Sequence, residues 1–442
     1  MHRKKALWFA LIGLAALGTF WILTLTILEP EKPKVVMTPD AGVIGARQSL
    51  SLSFSDRRSG LRKLSASITQ DNRRQTVWSI ELPDRGVAEK TVTVTVDAAK
   101  LRLRDGSAVL TVLAEDHSLL KNQTLVEKTV TIDTVPPQIF PLNRMNHINP
   151  GGSCVLLYRM SETVSASGVW VDKVFFPGYP ASAAGKPVTI VYFAVPLDAK
   201  KENLSIRLFA RDTAGNESLV SVPYLLLAKK FRRDAMNLSD GFLQQKMPEF
   251  QASHPDLRGK PLLETFLYVN GVLREENRKT IQSLCAKSSP RQLWQDTFVR
   301  MKNASPMAQF GDHRTYLYGG KAVGESVHMG VDLASTAQAP IEAVNSGVVV
   351  FASGLGIYGN AVVIDHGLGL FSLYGHLSEI GVKAGQSVKR NDAIGRSGVT
   401  GLAGGDHLHL SILVGGEFVN PQEWWDPHWI QDNVTKKMAD AF

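Results

Sequence analysis

Between residues 47 and 134 apolar and polar residues alternate in short runs. Leu50-Ser51-Leu52-Ser53-Phe54, Val92-Thr93-Val94-Thr95-Val96 and Val130-Thr131-Ile132 each repeat with period two. That spacing buries one face of a strand and leaves the other to solvent. Ser59-Gly60 and Asp105-Gly106 mark turns between the runs. Short β-branched strands so spaced predict a β-sandwich. The pattern then recurs. The run Leu110 to Asp116 is echoed by Ile206 to Asp212, 96 residues later, which is one immunoglobulin-like domain length.

Asp133-Thr134-Val135-Pro136-Pro137 lies between the two copies. Its prolines cannot donate to a sheet ladder, so it reads as a stiff joint. Together with Asp212-Thr213-Ala214-Gly215-Asn216, these segments resemble bacterial immunoglobulin-like tandem modules. The resemblance implies two sandwiches, over 34–134 and 135–228, with one two-sheet domain over 47–228 as the alternative. Over 229–303 alternation gives way to apolar residues three or four apart: Leu262, Leu263, Phe266, Leu267, Val272, Leu273, Ile281 and Leu284. A helix is predicted over Asn277 to Ala286, stopped by Ser288-Ser289-Pro290, within a partly helical connector. From 304 to 425 the chain is glycine-rich and β-patterned again, with a tail over 426–442. The fold class expected is mainly β.

Residues Ala6 to Leu28 carry no charge, a run long enough to span about 30 Å of hydrocarbon as a helix. Arg3, Lys4 and Lys5 precede it; Glu29 and Glu31 follow. The positive-inside rule then leaves residues 1–5 as a cytoplasmic tail and exports the rest. A transmembrane helix over 6–28 is expected, giving a single-pass protein of the cytoplasmic (inner) membrane. Its C-terminal domain would lie in the periplasm or cell-wall space. A cleaved signal peptide is the competing reading, but its apolar core is normally about 7–15 residues with an A-x-A site, and no A-x-A ends this run.

The 442 residues, 44% hydrophobic and 20% charged, provide for several globular domains. The net charge of +8 has no basic stripe interleaved with aromatics, so nucleic-acid binding is not expected. The charge is uneven: 229–303 carries +6 and 304–425 carries −4. Opposite charges on tethered neighbours favour docking of the connector over the C-terminal domain; two solvated faces that never meet are the alternative. Cys154 and Cys285 lack the spacing of a disulfide framework or a thiolate zinc site. One long-range disulfide or two buried thiols remain open.

Seven of the eleven histidines fall between residues 313 and 428. His407 and His409 are two apart on a predicted strand, so they share a face. His328 and Asp332 frame His328-Met329-Gly330-Val331-Asp332, where an even spacing again gives one face of extended chain. His376 lies in Tyr374-Gly375-His376-Leu377. Two imidazoles and a carboxylate converging on one point suit catalytic zinc, which takes three protein ligands and keeps a fourth position open. His313 and His366 read as hydrogen-bonded structural residues.

In this order and spacing the motifs resemble the lysostaphin-type, or LytM, family of zinc metallopeptidases that cut peptidoglycan peptides. The resemblance covers about 305–425, including Phe310-Gly311, Gly347-Val348-Val349, Tyr358-Gly359-Asn360 and Asn420-Pro421. It implies one Zn²⁺ per chain on His328, Asp332 and His409, with His376 and His407 acting on the water and the transition state. Which of that pair is the base stays open. It implies a zinc metalloendopeptidase with peptidoglycan as partner, anchored through the N-terminal helix, and leaves room for cell-wall synthesis or division proteins. The alternative is a non-catalytic LytM-like regulator that binds and activates a cell-wall amidase. The family's Pro before H-x-H and Phe-Glu after it are replaced by Asp406, Leu410 and Ser411, which implies an altered groove rather than a lost metal.

Overall fold

The computed structural model describes residues 8, 12–21, 29–40, 42–143 and 145–439. Strands dominate, and the chain divides into two compact units. One comprises residues 1–137, 162–165 and 211–217; the other holds the remainder.

The membrane-spanning helix expected over 6–28 does not stand. Among the described residues no helix is long and apolar enough to cross a membrane. Helix is described at residue 8 and over 12–21. At about 1.5 Å per residue the longer run rises roughly 15 Å, half of the ~30 Å hydrocarbon layer. Residues 1–7, 9–11 and 22–28 lie outside the described residues, and with them the tail over 1–5. The single-pass topology drawn from that span loses its support.

In the first unit a three-stranded sheet (Lys34–Thr38, Arg47–Ser55, Glu89–Asp97) and a five-stranded sheet share one core. Leu50, Leu52, Phe54, Val94 and Val96 meet Leu64, Ile68, Leu110 and Val112 there. The intervening hydroxyls face outward and pair across strands, Ser49 with Thr95 and Ser53 with Thr91.

The second unit opens with strands in two four-stranded sheets. Ser153–Met160 and Lys186–Ala194 run side by side at the centre of one sheet, buried almost continuously. Cys154 and Cys285 are both free and buried, and burial raises the Cys285 thiol to about 12. Three helices follow: α1 (Asp240–Ser253), capped by the Ser239 hydroxyl on the Phe242 amide, α2 (Leu262–Tyr268) and α3 (Arg274–Leu284). A π turn, Val269–Leu273, joins α2 to α3. The predicted helix over 277–286 thus starts three residues earlier and stops two sooner. Its inner face mixes Leu273 and Ile281 with buried Asn270 and Asn277, which interrupts the apolar period.

The last domain is built on an antiparallel sheet. Its strands are β1 (Ser305–Ala308), β3 (Val331–Ala334), β4 (Gly347–Gly354), β5 (Asn360–Gly367), β6 (Leu370–Leu377) and β7 (Leu408–Val414), with β2 (His313–Tyr318) in a separate sheet. The order is β1-β3-β7-β6-β5-β4, then Ser387–Val388. β6 and β7 are buried along their whole length, which makes them a rigid floor. Glu423 ties this domain to the preceding sheets. Its carboxylate accepts from the Ser153 amide (2.7 Å), the Ser153 hydroxyl (3.0 Å) and Asn149 (3.1 Å). Trp424, fully buried, donates to the Ser153 hydroxyl at 3.1 Å.

Candidate active site

Strand register assembles the site. Pairing of β3 with β7 sets Asp332 opposite His409, and pairing of β6 with β7 sets Gly375 opposite His409. His328 sits just before β3, and Gly330 between them has no room for a side chain. A Cβ there would stand 2.5 Å from His409 Nε2. His376 follows Gly375 with a left-handed backbone, φ 65°. It lies beside His407, which enters β7 through a bridge to Gly398.

Three atoms form a small triangle. His328 Nε2 is 2.9 Å from Asp332 Oδ1 and 3.1 Å from His409 Nδ1, and His409 Nδ1 is 2.9 Å from the same carboxylate oxygen. The outer ring nitrogens fix the protons. His328 Nδ1–H donates to the Gln309 carbonyl at 2.9 Å. Ser411 Oγ donates to the Met329 carbonyl at 2.8 Å, so at 2.9 Å it accepts from His409 Nε2–H. Both inner nitrogens therefore present lone pairs, to each other and to a carboxylate. Three acceptors with no proton between them fit a cation. Ligands at about 2.0–2.1 Å on tetrahedral corners stand roughly 3.3 Å apart, close to the separations here. The outer bonds are those that hold metal-binding imidazoles in the right tautomer.

All three residues are under a tenth exposed. Burial alone would raise the Asp332 carboxyl, but the imidazoles packed around it, His328, His407 and His409, hold it well below the usual range. Its other oxygen takes a bond from Arg314 at 3.3 Å. Burial drives His409 down to about 4. It also drives His376 down to about 3, helped by His407 and His409. Burial works against a proton on His407 too, but its contact with Asp332 outweighs that and raises it.

The two remaining histidines face the same space. His376 Nδ1–H donates to the Thr400 carbonyl and His407 Nδ1–H to the Gly405 carbonyl, both at 2.8 Å. Each then turns Nε2 inward, and their rings lie 4.8 Å apart. All five residues line one cavity of about 450 Å³. The structure thus brings His328, Asp332, His376, His407 and His409, the site residues expected from the sequence, into one cavity.

Several participants escaped the sequence reading. Ser411, seen only as a departure from the family pattern, fixes the His409 tautomer. Among the described residues Asp406 makes no hydrogen bond to the His407 ring. It accepts from Ser397 (2.5 Å) and the Gln338 amide (3.0 Å), fastening the loop that carries His407. Arg314, Tyr358 and, from the connector, Phe242, Phe266 and Arg274 also line the cavity. Tyr358 belongs to the Tyr358-Gly359-Asn360 segment of the family resemblance; no short-range motif marks the others, because they reach the site from separate elements. His366 stays apart, with Nδ1 2.8 Å from the Ser346 carbonyl and Nε2 2.8 Å from the Ser372 hydroxyl.

A buried triangle of two histidines and a carboxylate could hold a metal ion, and two further imidazoles share its cleft. Comparison with known proteins narrows the class: residues 326–421 match Peptidase family M23, and this C-terminal region is a domain of that family. Over 95 residues the chain is 40% identical to the DD-carboxypeptidase/endopeptidase Mpg of Neisseria meningitidis, covering 22% of each protein. Over 115 residues it is 44% identical to the peptidoglycan DD-endopeptidase ShyA of Vibrio cholerae, covering 26% of each. The chain thus spans about a quarter or less of the length of these curated relatives. Among solved structures, the catalytic domain of lysostaphin from Staphylococcus simulans is 30% identical. That match covers 28% of this chain and 92% of that one, with a TM-score of 0.24.

Proposed function

We propose that this protein is a zinc-dependent endopeptidase that hydrolyses peptide bonds of peptidoglycan and works in the periplasm or cell-wall space, where that polymer lies. The observation that carries the reading is the proton arrangement of the triangle: two imidazole lone pairs and a carboxylate oxygen aimed at one point, with His376 and His407 beside them. The peptidoglycan relatives supply the substrate class.

His328, Asp332 and His409 would hold the ion. When bound, zinc supplies Lewis acidity toward the scissile carbonyl and toward water. The chain's own groups do the rest. His376 and His407 present Nε2 to the cleft with the opposite nitrogen pinned to a carbonyl, so neither ring can turn away. Between them they can take a proton from water and return one to the leaving amine, work typically worth about 10²–10⁴-fold. Arg314 holds the outer oxygen of Asp332, leaving Oδ1 for the ion.

The test incubates the full chain with purified peptidoglycan, with zinc or after chelation, and follows release of soluble muropeptides. Release that needs zinc and produces new amino termini supports the reading. No release from cross-linked wall refutes it and favours the regulator, for which nothing in the site argues: both auxiliary histidines and all three ligand positions are filled.

A further inference from the structure

Arg274 opens α3 and is partly buried where that helix forms a wall of the cleft. Neighbouring arginines are neutralised: Arg278 pairs with Glu275, and Arg314 with Asp332. Arg274 has no ion-pair partner among the described residues. Its guanidinium donates only to the Asn270 carbonyl (3.1 Å) and the Asn270 side-chain oxygen (3.0 Å). Those bonds leave most of the five guanidinium donors unused. They also hold the group still, because Asn270 is itself fixed to the Glu325 carbonyl at 3.0 Å. One turn on, Asn277 accepts from the Ile357 amide at 2.8 Å, which seats α3 against the turn carrying Tyr358. The Tyr358 ring lies 5.4 Å from that of His409, so Arg274 faces the same cavity as the reacting groups.

The charges in that cavity do not balance. Asp332 is the one carboxylate lining it, and it is committed to the two histidines and to Arg314. A second guanidinium, pre-positioned and without a counterion, calls for an anion from outside the chain. The fork of Arg matches a carboxylate by paired hydrogen bonds. A peptide bond whose amine-side residue ends its chain, as in a terminal D-Ala-D-Ala, carries such a group beside it, because that residue keeps its carboxylate free.

We propose that Arg274 is a substrate-binding residue that takes a free carboxylate of the peptide in the cleft, so that the site selects acidic peptides over their amidated forms. This rests on the peptidase reading of the same cavity. It makes the connector part of the binding site.

The experiment uses the zinc-loaded full chain carrying His376→Ala, so that ligand is not consumed. Calorimetry compares N-acetyl-L-Lys-D-Ala-D-Ala with its C-terminal amide, in that background alone and with Arg274→Gln or Arg274→Lys added. The acid should bind about tenfold more tightly than the amide, the scale of a charge-assisted hydrogen bond in a partly open site. Arg274→Gln should abolish the preference and leave amide affinity unchanged, which also shows that the fold is intact. Arg274→Lys should keep part of it. A preference that survives Arg274→Gln overturns the assignment, as does equal binding of both peptides or binding of neither. Hydrolysis is measured in parallel with His376 intact. Its absence alongside an intact preference would sink the peptidase reading and leave Arg274 as a carboxylate site.

Discussion

His366 offers a quantitative test of how the last domain is held together. It is fully buried, and burial lowers its imidazole from 6.5 to about 4. The folded protein therefore keeps this ring neutral, and its contribution is fully present above about pH 6.5. As pH falls from 6.5 towards 4 the unfolded chain takes up the proton first, so stability is lost. Between pH 7.5 and 4.5 that loss is about 2.5 kcal/mol, from the free energy of a 2.5-unit depression with most of the titration complete. His366→Asn removes the titration and keeps a hydrogen-bonding side chain. Urea unfolding followed by tryptophan fluorescence reads the region directly, because the Phe298 ring lies 5.0 Å from His366 and 5.6 Å from Trp294. Chelator in every sample removes metal linkage. The variant starts less stable at pH 7.5, and the gap should shrink by about 2.5 kcal/mol at pH 4.5. A gap that does not change with pH would refute the reasoning.

Other outcomes follow from the site. His328→Ala, Asp332→Ala and His409→Ala should each abolish stoichiometric zinc by mass spectrometry, since a three-ligand site has no spare donor; full zinc in all three would end the ligand assignment. His376→Ala and His407→Ala should retain zinc and lose about 10²–10⁴-fold in hydrolysis, and near-normal turnover in both would reject their role. Ser411→Ala should weaken zinc binding about 10–100-fold in a competition titration, because the His409 tautomer loses its outer bond; unchanged affinity would show that the bond is incidental.

The parts legible in the sequence share a cause: each is written in neighbouring residues. Period two over Leu50 to Phe54 buries three side chains because one sheet face is wet. The even spacing of His407 and His409 reaches the cavity because β7 starts between them. What stayed hidden depends on residues far apart in the chain. Glu423 fastens to Ser153 across 270 positions. Ser411 matters only because Met329 lies across from it. The misread segment, 6–28, shows the opposite limit. Hydropathy counts uncharged residues over 6–28, but among the described residues no helix is long and apolar enough to cross a membrane.

The connector shows why charge alone misleads about docking. Its +6 against the −4 of the last domain suggests an electrostatic latch that salt would release. Ion pairs between the two, among the described residues, are Lys302 with Glu342 and Asp296 with Arg390. Each has a largely exposed member, and such pairs are worth about 0–1 kcal/mol. The firmer contacts are apolar packing and hydrogen bonds. Phe266 packs on Tyr316 with ring centroids 5.0 Å apart, Asn277 accepts from the Ile357 amide, and Gln282 donates to Glu417 at 2.7 Å. Burying one side chain the size of Phe266 contributes about 1.5–3 kcal/mol, at least as much as a typical pair of such ion pairs, and kosmotropic salts strengthen that term instead of screening it. The helices are therefore held as a fixed wall of the cleft. That fixity is what a binding residue such as Arg274 needs, because a guanidinium on a loosely tethered lid would spend its interaction energy on being ordered.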